Sequence, residues 1–173
     1  ADGVEAEKMI FAAAEYNGPM YVRLGRSAVP TLFDENYNFE IGKGVVLKEG
    51  NDATIIACGM MVNEALIAAD MLKEENINVR VINMSTIKPI DRELIINAAK
   101  ETGAIVTAEE HSIIGGLGSA VSEVVSEECP VVVKKVGVKD TFGESGTPAE
   151  LLKKYGLTAE DIVNSVKEAI AKK

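Results

Sequence analysis

The amino-acid sequence predicts an α/β fold: a three-layer, open, mostly parallel sheet with one antiparallel edge strand. Three observations lead there. Short apolar runs rich in β-branched residues alternate with helix-patterned stretches of about 10–15 residues, the rhythm of βαβ units. VVLKEG is separated from ATIIAC only by the turn Glu49-Gly50-Asn51-Asp52, too short for a parallel crossover, so VVLKEG reads as the antiparallel edge. With 173 residues, 47% of them hydrophobic, the chain can bury an ordinary domain core on both faces of such a sheet.

The elements follow in order. Val4 to about Tyr16 is helical, with Val4, Met9, Ile10 and Ala13 roughly on one face, and stops at Asn17-Gly18-Pro19, where glycine can cap and proline cannot continue. MYVRLG, Met20 to Gly25, reads as a strand. RSAVPTLFDENYNFEIGKG has no clear period, and a connection of that length is more natural between domains than within one. VVLKEG and ATIIAC (Ala53 to Cys58) are strands. Gly59 opens onto the helix MMVNEALIAADMLKEEN, ending near Asn76. NVRVINM, Asn78 to Met84, is a strand. Asp91 N-caps DRELIINAAKET. GAIVTAEE is a strand, GSAVSEVVSEE a helix, and VVVKKVGV (Val131 to Val138) a β-branched strand. PAELLKKYG and TAEDIVNSVKEAIAKK are closing helices, the second starting with a Thr158-x-x-Asp161 capping box.

Composition narrows the function classes. A net charge of −9 and a pI near 4.7 argue against nucleic acid or anionic membrane as the main partner. No apolar run approaches the ~18 residues of a membrane span. One histidine and two distant cysteines, Cys58 and Cys129, make a poor zinc set, and buried free thiols without a signal peptide fit a reducing cytoplasm. The chain opens ADGVEAEKMIF, already inside a helical pattern and without an initiator methionine, so it reads as a fragment of a longer protein.

Parallel sheets bind ligands at the carboxyl ends of their strands. Three such ends, at Cys58-Gly59-Met60, Met84-Ser85-Thr86 and Glu109-Glu110-His111, should share one edge, which reads as an active site or an interface. Met60, Met61, Ile113 and Ile114, apolar and next to turns, are candidates for subunit contact there or for the core. Gly115, Gly116 and Gly118 precede a helix whose free N–H groups could attract an anion. The spacing is neither G-x-G-x-x-G nor a P-loop, and the competing reading is a tight strand-to-helix turn. His111 could be oriented by Glu109 or Glu110, with Ser112 or Ser119 nearby in sequence. Arg26, just past the MYVRLG run, is either a hook for a phosphate or carboxylate or a surface arginine paired with Asp34 or Glu35. Arg23 lies on one face of the same run.

GPMYVRLGRSAVP, GNDATIIACGMMVNEALIAADMLKEENINVRVINMSTIKPID, AEEHSIIGGLGSAV and FGESGTPAELLKKYGLTAEDI, in this order, resemble the carboxyl-terminal part of transketolase, above all the smaller polypeptide of the split form. The resemblance implies the end of a pyrimidine-binding domain over 1–29, a linker over 30–42 and a transketolase C-terminal domain over 43–173. It implies transfer of a two-carbon ketol unit between sugar phosphates in the pentose phosphate pathway, with thiamine diphosphate and Mg2+ in the complete enzyme. In such enzymes the arginine that Arg26 matches contacts the substrate phosphate, and Arg23 is a second substrate-binding candidate. His111, Gly115, Gly116 and Gly118 fall to a structural turn or subunit contact. No catalytic, cofactor-binding or metal-binding residue is expected here, so this piece alone should be inactive, without bound cofactor. It would work with an N-terminal transketolase section or subunit, as a homodimer or heterotetramer. Deoxyxylulose phosphate synthase, the 2-oxoacid dehydrogenase β subunit and a stand-alone anion-binding regulatory module are the alternatives.

Overall fold

The computed structural model describes all of residues 1–173. Its elements are α1 (Gly3–Glu15), β1 (Val45–Lys48), β2 (Ala53–Ala57), α2 (Met61–Glu74), β3 (Val79–Asn83), α3 (Arg92–Thr102), β4 (Ala104–Ser112), α4 (Leu117–Glu128), β5 (Val132–Val138), α5 (Pro148–Tyr155) and α6 (Ala159–Ile170). The strands form one five-stranded sheet in the order β1-β3-β2-β4-β5. β3, β2, β4 and β5 run parallel, and β1 pairs antiparallel with β3. VVLKEG is therefore the antiparallel edge, but its neighbour is β3 and not the strand that follows its turn.

Side-chain alternation along the strands builds the two cores. On one face Ile55, Val81, Val106 and Val136 meet Val62, Ala65 and Leu72 of α2 and Ile162, Val163 and Val166 of α6. On the other, Ile56, Ile82 and Ile105 meet Ile95 and Ala99 of α3 and Leu117, Val121 and Val124 of α4. β2 lies at the middle and every one of its residues is buried, so each Ile there contributes about 1.5–3 kcal/mol of hydrophobic stabilisation. Met61, one candidate for subunit contact by sequence, is fully buried in the first core.

Local chemistry explains the helix ends. Asp91 accepts from the Leu94 N–H at 3.1 Å, and Thr158 and Asp161 complete a reciprocal capping box. Gly103 and Gly156 end α3 and α5 at φ +66 and +67, the left-handed turn that glycine adopts without strain. No helix is long and apolar enough to cross a membrane.

One expected element does not form. Met20–Gly25 is irregular, and no residue from 17 to 31 takes part in a backbone–backbone hydrogen bond. A strand is defined by the partner it pairs with, and no strand of this chain lies alongside. The segment has strand-like composition without a sheet to join.

Candidate functional site at the carboxyl edge of the sheet

The carboxyl ends of β2, β3 and β4 do share one edge, since Ala57 registers with both Asn83 and Ala108. The start of α1 is fixed at this edge by two acidic side chains. Asp2 N-caps α1 through the Glu5 N–H at 2.8 Å, and its second oxygen accepts from the Leu32 and Phe33 N–H groups at 2.7 and 2.9 Å. Burial alone would raise the Asp2 pKa, but these three N–H groups outweigh it and leave the carboxyl below its ordinary range. Glu5, also buried, accepts from Asn83 Nδ2 at 2.6 Å and from Tyr37 Oη at 2.8 Å, and pairs with the Ala1 amine. Burial, then the Glu5 charge, push the Tyr37 phenol upward. Tyr37 also stacks on Phe33 at 3.9 Å. Residues 30–42 thus lie clasped to the body while holding no regular element. Sequence reading missed Asp2 and Glu5, although Asp2 ahead of an apolar-periodic run carries the signal of a helix cap.

At β4, Glu109 is 1% exposed. Its two carboxylate oxygens accept from the Leu117 and Gly118 N–H groups, each at 2.8 Å. The start of α4 is therefore capped by a carboxylate of the preceding strand, where a partial positive charge favours it. Gly116 has no serine, threonine or acid to offer as N-cap, and this missing local cap was the signal that the donors are satisfied from elsewhere. A Cβ on Gly116 would collide with Glu109 Oε2 and lie 2.8 Å from its Cδ; one on Gly118 would lie 2.8 Å from Thr107 Oγ1. Gly115 turns the chain at φ +76. The glycine cluster is a close-packed turn whose leading amides already grip an anion belonging to the chain itself.

His111 is exposed at the end of β4. Its one hydrogen bond joins Nδ1 to the Ser112 carbonyl at 3.3 Å, so the carboxylate–imidazole pairing allowed by sequence does not form: Glu109 binds the amides of α4 and Glu110 pairs with Arg23. Cys58, just past the end of β2, is a half-buried free thiol. Burial and then the nearby Glu109 charge push its thiol up to about 12.

Arg23 Nη2 donates to the Glu110 carbonyl at 3.2 Å and lies 3.6 Å from Glu110 Oε2. Arg26 is exposed and has neither the Asp34 nor the Glu35 partner that the sequence allowed. Large apolar side chains are exposed in this stretch, Tyr21 at 88% and Leu24, and on α1, Phe11 at 66% and Ile10. A wide depression of about 430 Å³, lined by Gly103, Pro130, Val131, Val132 and Lys173, sits at the opposite, amino end of β4 and β5.

The acidic side chains of this edge do not form a magnesium site. The buried carboxylates Asp2, Glu5 and Glu109 are each consumed by donors of this chain, and no three His, Cys, Asp or Glu side chains group as a metal needs.

Fold and edge together define the class: a three-layer α/β domain, with one antiparallel edge strand, that carries a clasped strap of irregular chain across its strand ends. The chain belongs to the transketolase C-terminal domain family, whose model matches residues 42–162. It is 47% identical over 91% of its length to the 6-deoxy-6-sulfo-D-fructose transketolase subunit SqwH of Clostridium sp. (strain MSTE9), covering 49% of that protein. It is 45% identical over 99% of its length to a putative transketolase C-terminal section of Methanocaldococcus jannaschii, covering 54%. A solved structure, "Split gene transketolase, inactive beta4 tetramer", superposes with a TM-score of 0.98 at 57% identity, over all of this chain and 57% of that one. The chain thus spans about half the length of these relatives.

Proposed function

We propose that this chain is the C-terminal section of a split transketolase, supplying scaffold, subunit contacts and one substrate-phosphate ligand to an enzyme that moves a two-carbon ketol unit between sugar phosphates. Residues 1–29 then complete a pyrimidine-binding domain, 30–42 form the linker and 43–173 the C-terminal domain. Thiamine diphosphate and its metal would sit on the N-terminal section, in a cytoplasmic homodimer or heterotetramer of the pentose phosphate pathway. His111 and the turn at Gly115, Gly116 and Gly118 serve as structure or subunit contact.

The observation that carries the reading is Arg26. In a chain with 27 acidic residues and 18 lysines and arginines, this guanidinium is exposed and without an acidic partner, as expected of a group kept for a ligand's oxyanion. The relatives' names fit the chemistry: one acts on a sugar bearing a terminal sulfonate, another on apulose 4-phosphate. They favour a transketolase over a deoxyxylulose phosphate synthase. The solved relative, an inactive beta4 tetramer, supports inactivity of this section alone.

The test uses the enzyme assembled with its N-terminal section. Arg26→Ala should raise KM for fructose 6-phosphate by about 1.5–3 kcal/mol, the loss of one charge-assisted contact, and leave unphosphorylated fructose little affected. Equal losses for both sugars would remove the phosphate assignment.

A further inference from the structure

The strap that bears Arg26 is held at few points. At its far end Asp2 takes the Leu32 and Phe33 N–H groups, and at its near end α1 is anchored through Glu5 to Asn83. Between them no residue from 17 to 31 joins a backbone–backbone hydrogen bond. The one polar link from that span to the body is the guanidinium of Arg23 on Glu110, through both the carbonyl and the carboxylate. Glu110 lies in the irregular stretch of β4 between its paired residues Ala108 and Ser112, and is flanked on one side by Glu109, which is bound to the start of α4. Arg23 and Arg26 are separated only by Leu24 and Gly25, so where the first is held limits where the second can reach.

We infer that Glu110 is a positioning residue for the proposed phosphate ligand. It pins Arg23 and thereby sets the span from Arg23 to Arg26 at one place over the sheet edge. This rests on the reading of Arg26 as the ligand. The pair is half-exposed, 53% at Arg23 and 41% at Glu110, so its effect is modest. Its sign is what discriminates. A tether predicts weaker phosphate binding when Glu110 loses its charge. A carboxylate acting only as a nearby negative charge, or one that sequesters an arginine which itself binds the phosphate, predicts tighter binding.

The experiment compares Glu110→Gln, Arg23→Gln and the double variant in the enzyme assembled with its N-terminal section, with fructose 6-phosphate and fructose as donors. The expected result is that each single variant raises KM for fructose 6-phosphate about threefold, with kcat and the fructose KM unchanged. The double variant should be no worse than either single one, because both break the same contact. A lowered or unchanged KM in Glu110→Gln, or additive losses in the double variant, overturns the inference. Arg26→Ala, assayed alongside, separates the two levels. A loss confined to fructose 6-phosphate there, with a silent Glu110→Gln, refutes the tether alone. Equal losses for both sugars in Arg26→Ala refute the phosphate reading and the tether with it.

Discussion

Replacing Glu109 with glutamine preserves volume and removes the charge that closes the start of α4. In the native chain both oxygens accept, at 2.8 Å each, from Leu117 and Gly118. Glutamine offers one oxygen and one NH2, so one buried N–H would face another donor. A lost hydrogen bond to a charged group is worth about 1.5–3 kcal/mol, and the attraction of a carboxylate to a helix start adds up to about 2 kcal/mol in a buried setting. The two overlap, so the expected loss is about 2–4 kcal/mol, or roughly 5–15 °C in Tm for a domain of this size. Urea unfolding followed by circular dichroism would read it as a lower midpoint at unchanged slope. A loss below about 0.5 kcal/mol, within the range of an ordinary surface substitution, would show that the carboxylate is not holding the helix, and the account of the glycine turn would fall with it.

Three other outcomes are expected. Gly116→Ala should cost about 1–3 kcal/mol, because its Cβ has no room beside the Glu109 carboxylate; urea midpoints would show a smaller added loss in the Glu109→Gln background, and full additivity would contradict the shared contact. Asp2 has a pKa held below its ordinary value of 3.8, so its clasp contributes stability above that pH that is lost as pH falls through the lower folded value; on acidification from about pH 6 to about pH 2 the native chain should lose more stability in urea than Asp2→Asn does. Cys58, half-buried and with its thiol pushed up to about 12, should alkylate more slowly at about pH 8 in the folded chain than in urea, whereas equal labelling rates in the two states would refute the raised thiol beside Glu109.

Much of the fold was legible because its cues are local. The β-branched runs of β2, β3 and β5, the amphipathic period of α2, α3 and α6, and the caps at Asp91 and Thr158 all depend on residues within a few positions of one another. The short turn after VVLKEG announced an antiparallel edge. Which strand it would join was not announced, because Val45 meets Asn83 and Val46 meets Ile82, choices set by packing across the whole sheet. Of the candidate site, Arg26 was visible as an arginine at the end of an apolar run in an acidic chain. The fate of each acid was not.

The order of helices and strands from Val45 onward, the single antiparallel edge and the glycine turn were therefore determined by sequence, since propensity, periodicity and capping act between neighbours. Tertiary structure decided which groups are already occupied: Glu109 by the amides of α4, Glu5 by Asn83, Asp2 by Leu32 and Phe33, and Met20–Gly25 by no strand at all. Pairing across 30 or 78 positions is selected by burial, where an unmatched donor or carboxylate is too costly to leave, and only the folded chain brings such partners together.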